Sequence, residues 1–190
     1  MSPTQYSDGT WIYCSGTLIS STAFLTAAHC GDTGETVGVT FDSAYVAGDK
    51  VYYGTFYADP AYNQTQSDPH DIAVVVFDKP IKGIQPAELP TLNSLSNLSG
   101  SQTFTLVGYG AYEVTNQPGG HQYLYNDVRM KSTGTLNSIN KSWLRISPLD
   151  QRRVPPRQGV SARVPRSIRN AHLGDTAGTS PPPVMYAECA

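Results

Sequence analysis

Short runs of β-branched and aromatic residues recur along this chain at 11–14, 16–19, 24–27, 37–41, 50–57, 72–77 and 103–109, with turn-forming residues between them. Runs of that length and spacing suit strands assembled as a barrel or sandwich. Segment 72–77 is the most constraining: Ile72, Val74 and Val76 alternate with Ala73, Val75 and Phe77, so both faces are apolar and the strand belongs in the middle of a sheet. Pro80, Pro86 and Pro90 then exclude a central strand, and with 93–101 that stretch reads as a connector. Thr103-Phe104-Thr105-Leu106-Val107 opens a second strand-rich region, Gly108-Tyr109-Gly110 ends that strand, and further strands are expected around 122–133 and 142–146. The fold class is all-β.

A chain of 190 residues has enough length for a substantial core, and 39% hydrophobic with 15% charged residues excludes disorder throughout. The net charge of −2 argues against a nucleic-acid partner, because phosphate binding needs a basic face. No apolar run is long enough to span a bilayer, and Met1-Ser2-Pro3-Thr4-Gln5 does not begin a signal sequence. Of the three cysteines, Cys189 is left over if Cys14 and Cys30 pair; two buried free thiols are the alternative. The four histidines, His29, His70, His121 and His172, lack metal-ligand spacing, and neither a metal nor a cofactor is expected. His70 reads as a solvated neighbour of Asp71, and His121 as part of a loop after Gly119-Gly120.

Two segments carry chemistry. Cys14-Ser15-Gly16-Thr17-Leu18-Ile19 is followed by Leu25-Thr26-Ala27-Ala28-His29-Cys30, and further on comes Asp68-Pro69-His70-Asp71-Ile72-Ala73-Val74-Val75. The first two resemble the histidine region of trypsin-like (chymotrypsin family) serine peptidases, and the third is similar to that family's Asp-Ile-Ala-Leu segment. Val107-Gly108-Tyr109-Gly110 resembles the Gly-Trp-Gly turn that opens the family's second barrel. The resemblance covers roughly 11–146. It implies a double Greek-key β-barrel, a Cys14–Cys30 disulfide, His29 as general base and Asp71 as the carboxylate that orients it. A serine hydroxyl is a poor nucleophile unless a neutral imidazole accepts its proton, and the imidazole must be held in one tautomer. The implied setting is extracellular, with a protein or peptide substrate, no membrane association and a monomeric state.

The third member of the triad is the difficulty. The family's nucleophile sits in Gly-Asp-Ser-Gly-Gly, whose glycines let backbone amides hold the oxyanion, and no such segment occurs among the 190 residues. Ser161, within Arg157-Gln158-Gly159-Val160-Ser161-Ala162-Arg163-Val164, falls near the expected distance but lacks the flanking glycines. Thr176, within Gly174-Asp175-Thr176-Ala177-Gly178, is the nearest formal match, with threonine for serine. Usage also changes after Ile146: arginine precedes it only at Arg129 and Arg145, whereas Arg152, Arg153, Arg157, Arg163, Arg166 and Arg169 follow, and Tyr186 is the only later tyrosine. Proline at 148, 155, 156, 165 and 181–183 leaves no useful strand pattern.

The expected organisation is a first β-barrel over 1–100, largely present apart from an outer strand, a truncated second barrel over 101–146, and an irregular tail over 147–190. That tail reads as the product of a disrupted reading frame; translating the other two frames beyond Ile146 tests this, since absence of a Gly-Asp-Ser-Gly-Gly segment from both removes its support. The expected function is a trypsin-like serine endopeptidase homologue, catalytically impaired. The alternative is a secreted non-catalytic binding module for a glycan or protein partner, suggested by Tyr52, Tyr53, Tyr57, Tyr62, Tyr109, Tyr112, Tyr123 and Tyr125, whose rings could stack on apolar ligand faces.

Overall fold

The computed structural model describes residues 9–65, 68–98, 100, 102–109, 111, 113–140, 143–148 and 162–165. Ser161, Thr176, Cys189 and most of 147–190 lie outside them. The described residues form eleven strands and two short 3-10 turns, so the molecule is all-β. The first five strands, β1 (Thr17–Ser20), β2 (Ala23–Thr26), β3 (Thr36–Val39), β4 (Tyr52–Ala58) and β5 (Ala73–Val76), make one antiparallel sheet in the order β1-β2-β5-β4-β3. Placing β5 between β2 and β4 while β3, β4 and β5 follow one another is Greek-key connectivity.

The double-sided apolar pattern of 72–77 has the expected consequence: β5 sits at the centre of the sheet. Ala73, Val75 and Phe77 enter a core with Leu18, Ala28, Val39, Phe56 and Ile81. Ile72 and Val74, on the opposite face, pack with Ile19 against a second core of Leu25, Phe104, Leu106, Leu136, Leu144 and Ile146. One strand therefore serves both halves of the molecule. Ala73, Val74 and Val75 could therefore not be exchanged for a polar residue without leaving a polar group against an apolar neighbour, whereas Val76, 41% exposed, meets solvent.

The second half holds β6 (Thr103–Gly108), β9 (Met130–Ile139), β10 (Trp143–Pro148) and β11 (Ala162–Pro165) in the order β11-β10-β9-β6, plus a separate hairpin of β7 (Glu113–Gln117) and β8 (Gly120–Leu124). Across the described residues the structure departs from sequence expectation in three places. The span 122–133 is divided between β8 and β9, and residue 121 lies in β8, paired with Asn116, and not in a loop. The hairpin turns at Pro118-Gly119, with Gly119 and Gly120 at φ +113° and +132°, a backbone that glycine adopts without a Cβ penalty. Its strands are largely polar, which removes the alternation by which strands are found. β11 lies within the stretch expected to be irregular: Arg163 and Val164 pair with Arg145 and Leu144, with Pro165 confined to the strand's end.

The third departure is at the start. Residues 11–14 are not a strand, because the N–H groups of Trp11 and Ile12 are taken by a side chain, the carboxylate of Asp127, at 2.9–3.0 Å. This tie belongs to a seam that joins the halves. Tyr45 N–H donates to the Asp127 carbonyl at 3.1 Å and Arg129 N–H to Ser43 at 2.7 Å. The Arg129 guanidinium reaches the Phe41 carbonyl at 3.3 Å, and the Tyr109 hydroxyl donates to the carbonyl of Asp42. Among the described residues no helix is long and apolar enough to cross a membrane.

Candidate active site

β2 ends at Thr26 and passes the chain into a single 3-10 turn, Ala28–Cys30. Ala27 and Ala28 are both buried, and only small side chains let the turn lie this close to the core of the first sheet. His29 is carried at the edge of that turn, its side chain 39% exposed. A disulfide joins Cys30 to Cys14, fastening the turn to the segment before β1 and ruling out the pair of free thiols. Gly16 completes the attachment: a Cβ there would come within 2.3 Å of the Phe24 ring and 2.4 Å of the Leu25 carbonyl oxygen, so the chain passes only because it carries no side chain.

Asp71 arrives from the neighbouring strand. Antiparallel pairing of β2 with β5 sets Thr26 opposite Ala73, and continuing that register brings the residues just before Ala73 beside those just after Thr26. Asp71 Oδ1 accepts the backbone N–H of His29 at 3.0 Å, while Oδ2 lies 2.8 Å from His29 Nδ1. A carboxylate can only accept, so the shared ring proton is on Nδ1 and the basic lone pair of the neutral imidazole is on Nε2. The Asp71 side chain is 13% exposed against 39% for His29, so the carboxylate is the more shielded partner.

A second carboxylate–imidazole contact lies next to the first. Asp68 Oδ1 accepts the His70 backbone N–H at 3.0 Å and stands 2.9 Å from His70 Nδ1, and Oδ2 accepts the Asn63 N–H at 2.8 Å. His70 is thus more than a solvated neighbour: its ring is half-exposed but engaged. The His70 and Asn63 amides, foremost, hold the Asp68 carboxyl below its ordinary 3.8 against the opposing effect of burial. Sequence reasoning passed over Asp68, although an aspartate that bonds the amide two residues on is a recognisable Asx-turn signal.

His29 lines an open groove of about 650 Å³ whose walls include Tyr13, Cys30, Asp59, Tyr62 and Gln64. The ring of His29 and the sulfurs of Cys14 and Cys30 lie within 4.8 Å of one another, but the disulfide leaves neither sulfur as a thiolate for a metal. The structure therefore brings together four of the residues singled out from sequence, His29, Asp71, Cys14 and Cys30; Ser161 and Thr176 fall outside the described residues. A family model described as Trypsin matches residues 2–151.

Proposed function

The chain belongs to the trypsin family of serine proteases, and from that premise we propose that His29 and Asp71 are the base and orienter of a peptide-bond hydrolase. The observation that carries the reading is the Asp71 carboxylate spanning the His29 N–H and Nδ1 at 3.0 and 2.8 Å. That contact selects the tautomer in which Nε2 accepts a hydroxyl proton, and it stabilises the imidazolium that results. The ring opens on a groove of about 650 Å³, and the family suggests protein or peptide substrates. A disulfide next to the site fits an oxidising, extracellular setting. In this reading 1–100 supplies His29 and Asp71, 101–146 is a partial second barrel, and 147–190 is where the nucleophile should be.

The same proposal holds that the chain is catalytically impaired. Neither Ser161 nor Thr176 has the glycine setting that supplies an oxyanion hole, and the base has nothing to activate without a placed hydroxyl. A fluorophosphonate probe, which requires an activated serine, is expected to leave the protein unlabelled. Stoichiometric labelling lost on His29→Ala would make the chain an active peptidase and overturn the impairment. The second reading, a secreted binding module, draws on Tyr53 and Tyr57, which stand exposed on one face of β4. A glycan array decides it: specific binding lost in Tyr57→Ala supports a module, and no binding removes it.

A further inference from the structure

We propose that Asp68 is a positioning residue: its carboxylate fixes the backbone that carries Asp71 and so sets the alignment of Asp71 on His29. The inference rests on the reading of Asp71 as the orienter of His29. Asp68 is the less accessible of the two aspartates, with a side chain only 2% exposed against 13% for Asp71, and it is not among the residues lining the groove beside His29. A buried carboxylate is costly unless donors surround it, and those donors come from both sides in the sequence: Asn63 at 2.8 Å, and His70 through its backbone N–H at 3.0 Å and its ring at 2.9 Å.

The consequence runs directly into the site. The Asp68 carbonyl accepts the Asp71 N–H at 3.3 Å and the His70 carbonyl accepts the Ile72 N–H at 2.7 Å, so the chain from Asp68 to the start of β5 is one tight turn. Asp71 lies inside that turn, between the Asp68 clamp and the β5 ladder, and its two oxygens must meet two separate donors on His29. Releasing the clamp frees the turn at its N-terminal end, and a carboxylate that must satisfy two donors at once tolerates little rotation. The clamp also takes in Asn63, whose neighbours Tyr62 and Gln64 form part of the groove wall beside His29. One buried group thereby ties the wall of the groove to the orienting carboxylate.

The test reads the ring and not the reaction. In full-length protein labelled with ¹⁵N histidine, at a pH where the imidazole is neutral, nitrogen shifts give the Nδ1–H to Nε2–H tautomer ratio of His29. Asp71→Asn is expected to return that ratio to the mixture of an unheld imidazole. Asp68→Ala is expected to move it the same way by about threefold or more, the lower range of coupling between contacting groups, and to add nothing in the Asp71→Asn background. Asp68→Asn, which keeps one acceptor oxygen, falls between, and it replaces the alanine variant if that chain does not fold. No change in a folded Asp68 variant, or a change of equal size with and without the Asp71 carboxylate, overturns the proposal. An unchanged ratio in Asp71→Asn instead overturns the orienter assignment itself, so the two failures are told apart.

Discussion

The two halves of the molecule solve the same packing problem by different means. The sheet of β1 to β5 encloses a core drawn from its own half and has polar ties that stay within that half, from the Asp68 clamp on Asn63 and His70 to the pairing of His29 with Asp71, 42 residues apart. The sheet of β6, β9, β10 and β11 completes its core with a residue of the other half, since Leu25 of β2 belongs with Phe104, Leu106, Leu136, Leu144 and Ile146. Its seam to the first half runs through contacts more than sixty residues apart in sequence, such as Tyr109 with Asp42 and Asp127 with Trp11. The core of the second half is thus completed by a residue of the first, whereas the core of the first is drawn from its own strands and turns. A core completed in this way should be the weaker one when a shared residue is lost.

Leu25→Ala gives the largest expected effect and the most direct break in the comparison. Truncating a buried leucine costs about 2–5 kcal/mol, measured here as a shift in urea unfolding. The location matters more than the size. Amide protection should fall most in β6, β9 and β10, although the substituted residue lies in β2. Uniform loss of protection across both sheets would show that the halves unfold as one unit and that the second does not depend on the first in this sense.

The same contrast explains what could be read from the chain. β5 and its central place were legible because Ile72 to Phe77 alternate with both faces apolar, a pattern that few environments satisfy. The meeting of His29 with Asp71 was expected from resemblance, and the register of Thr26 with Ala73 supplies its physical cause. The β7–β8 hairpin was not legible, because polar strands such as Glu113–Gln117 show no hydrophobic period and only the Pro118-Gly119 turn marks them. Segment 11–14 misled in the opposite direction: it has strand-like residues, but a carboxylate more than a hundred residues away captures its amides. Periodicity reports which side chains are buried and says nothing of a remote acceptor.

An intermediate effect tests a polar tie that lies wholly within the first half. The Asp68 carboxyl lies below its ordinary 3.8, chiefly because the His70 and Asn63 amides favour the charged form. The unfolded chain therefore binds the proton first as pH falls. The stability from this group is complete above the ordinary carboxylate range and is lost as pH drops through the folded value. Thermal melts of the parent and of Asp68→Asn should differ by a constant amount above about pH 5, and the difference should shrink as pH falls below the ordinary carboxylate range. A difference that persists unchanged into strong acid would mean that Asp68 contributes by packing and not by charge.

The smallest effect concerns the seam. Tyr109 donates its hydroxyl to the Asp42 carbonyl, and its backbone N–H donates to Ser15 Oγ at 3.1 Å, so one residue at the end of β6 touches the first half twice. Tyr109→Phe removes only the hydroxyl and should cost about 0.5–1.5 kcal/mol, the usual net worth of such a bond. Its pH dependence has the opposite sign to that of Asp68. Burial, foremost, raises the phenol above its ordinary 10.0, assisted by Asp42 and opposed by the Arg129 guanidinium. A raised folded value means that the stabilisation is complete below the unfolded value and is lost as pH climbs through the folded one. Parent and Tyr109→Phe should therefore differ at neutral pH and converge above about pH 10. If the two proteins melt alike at pH 7, the ring and the N–H hold this part of the seam without the hydroxyl, and the dependence of the second half on the first rests on apolar contacts such as Leu25.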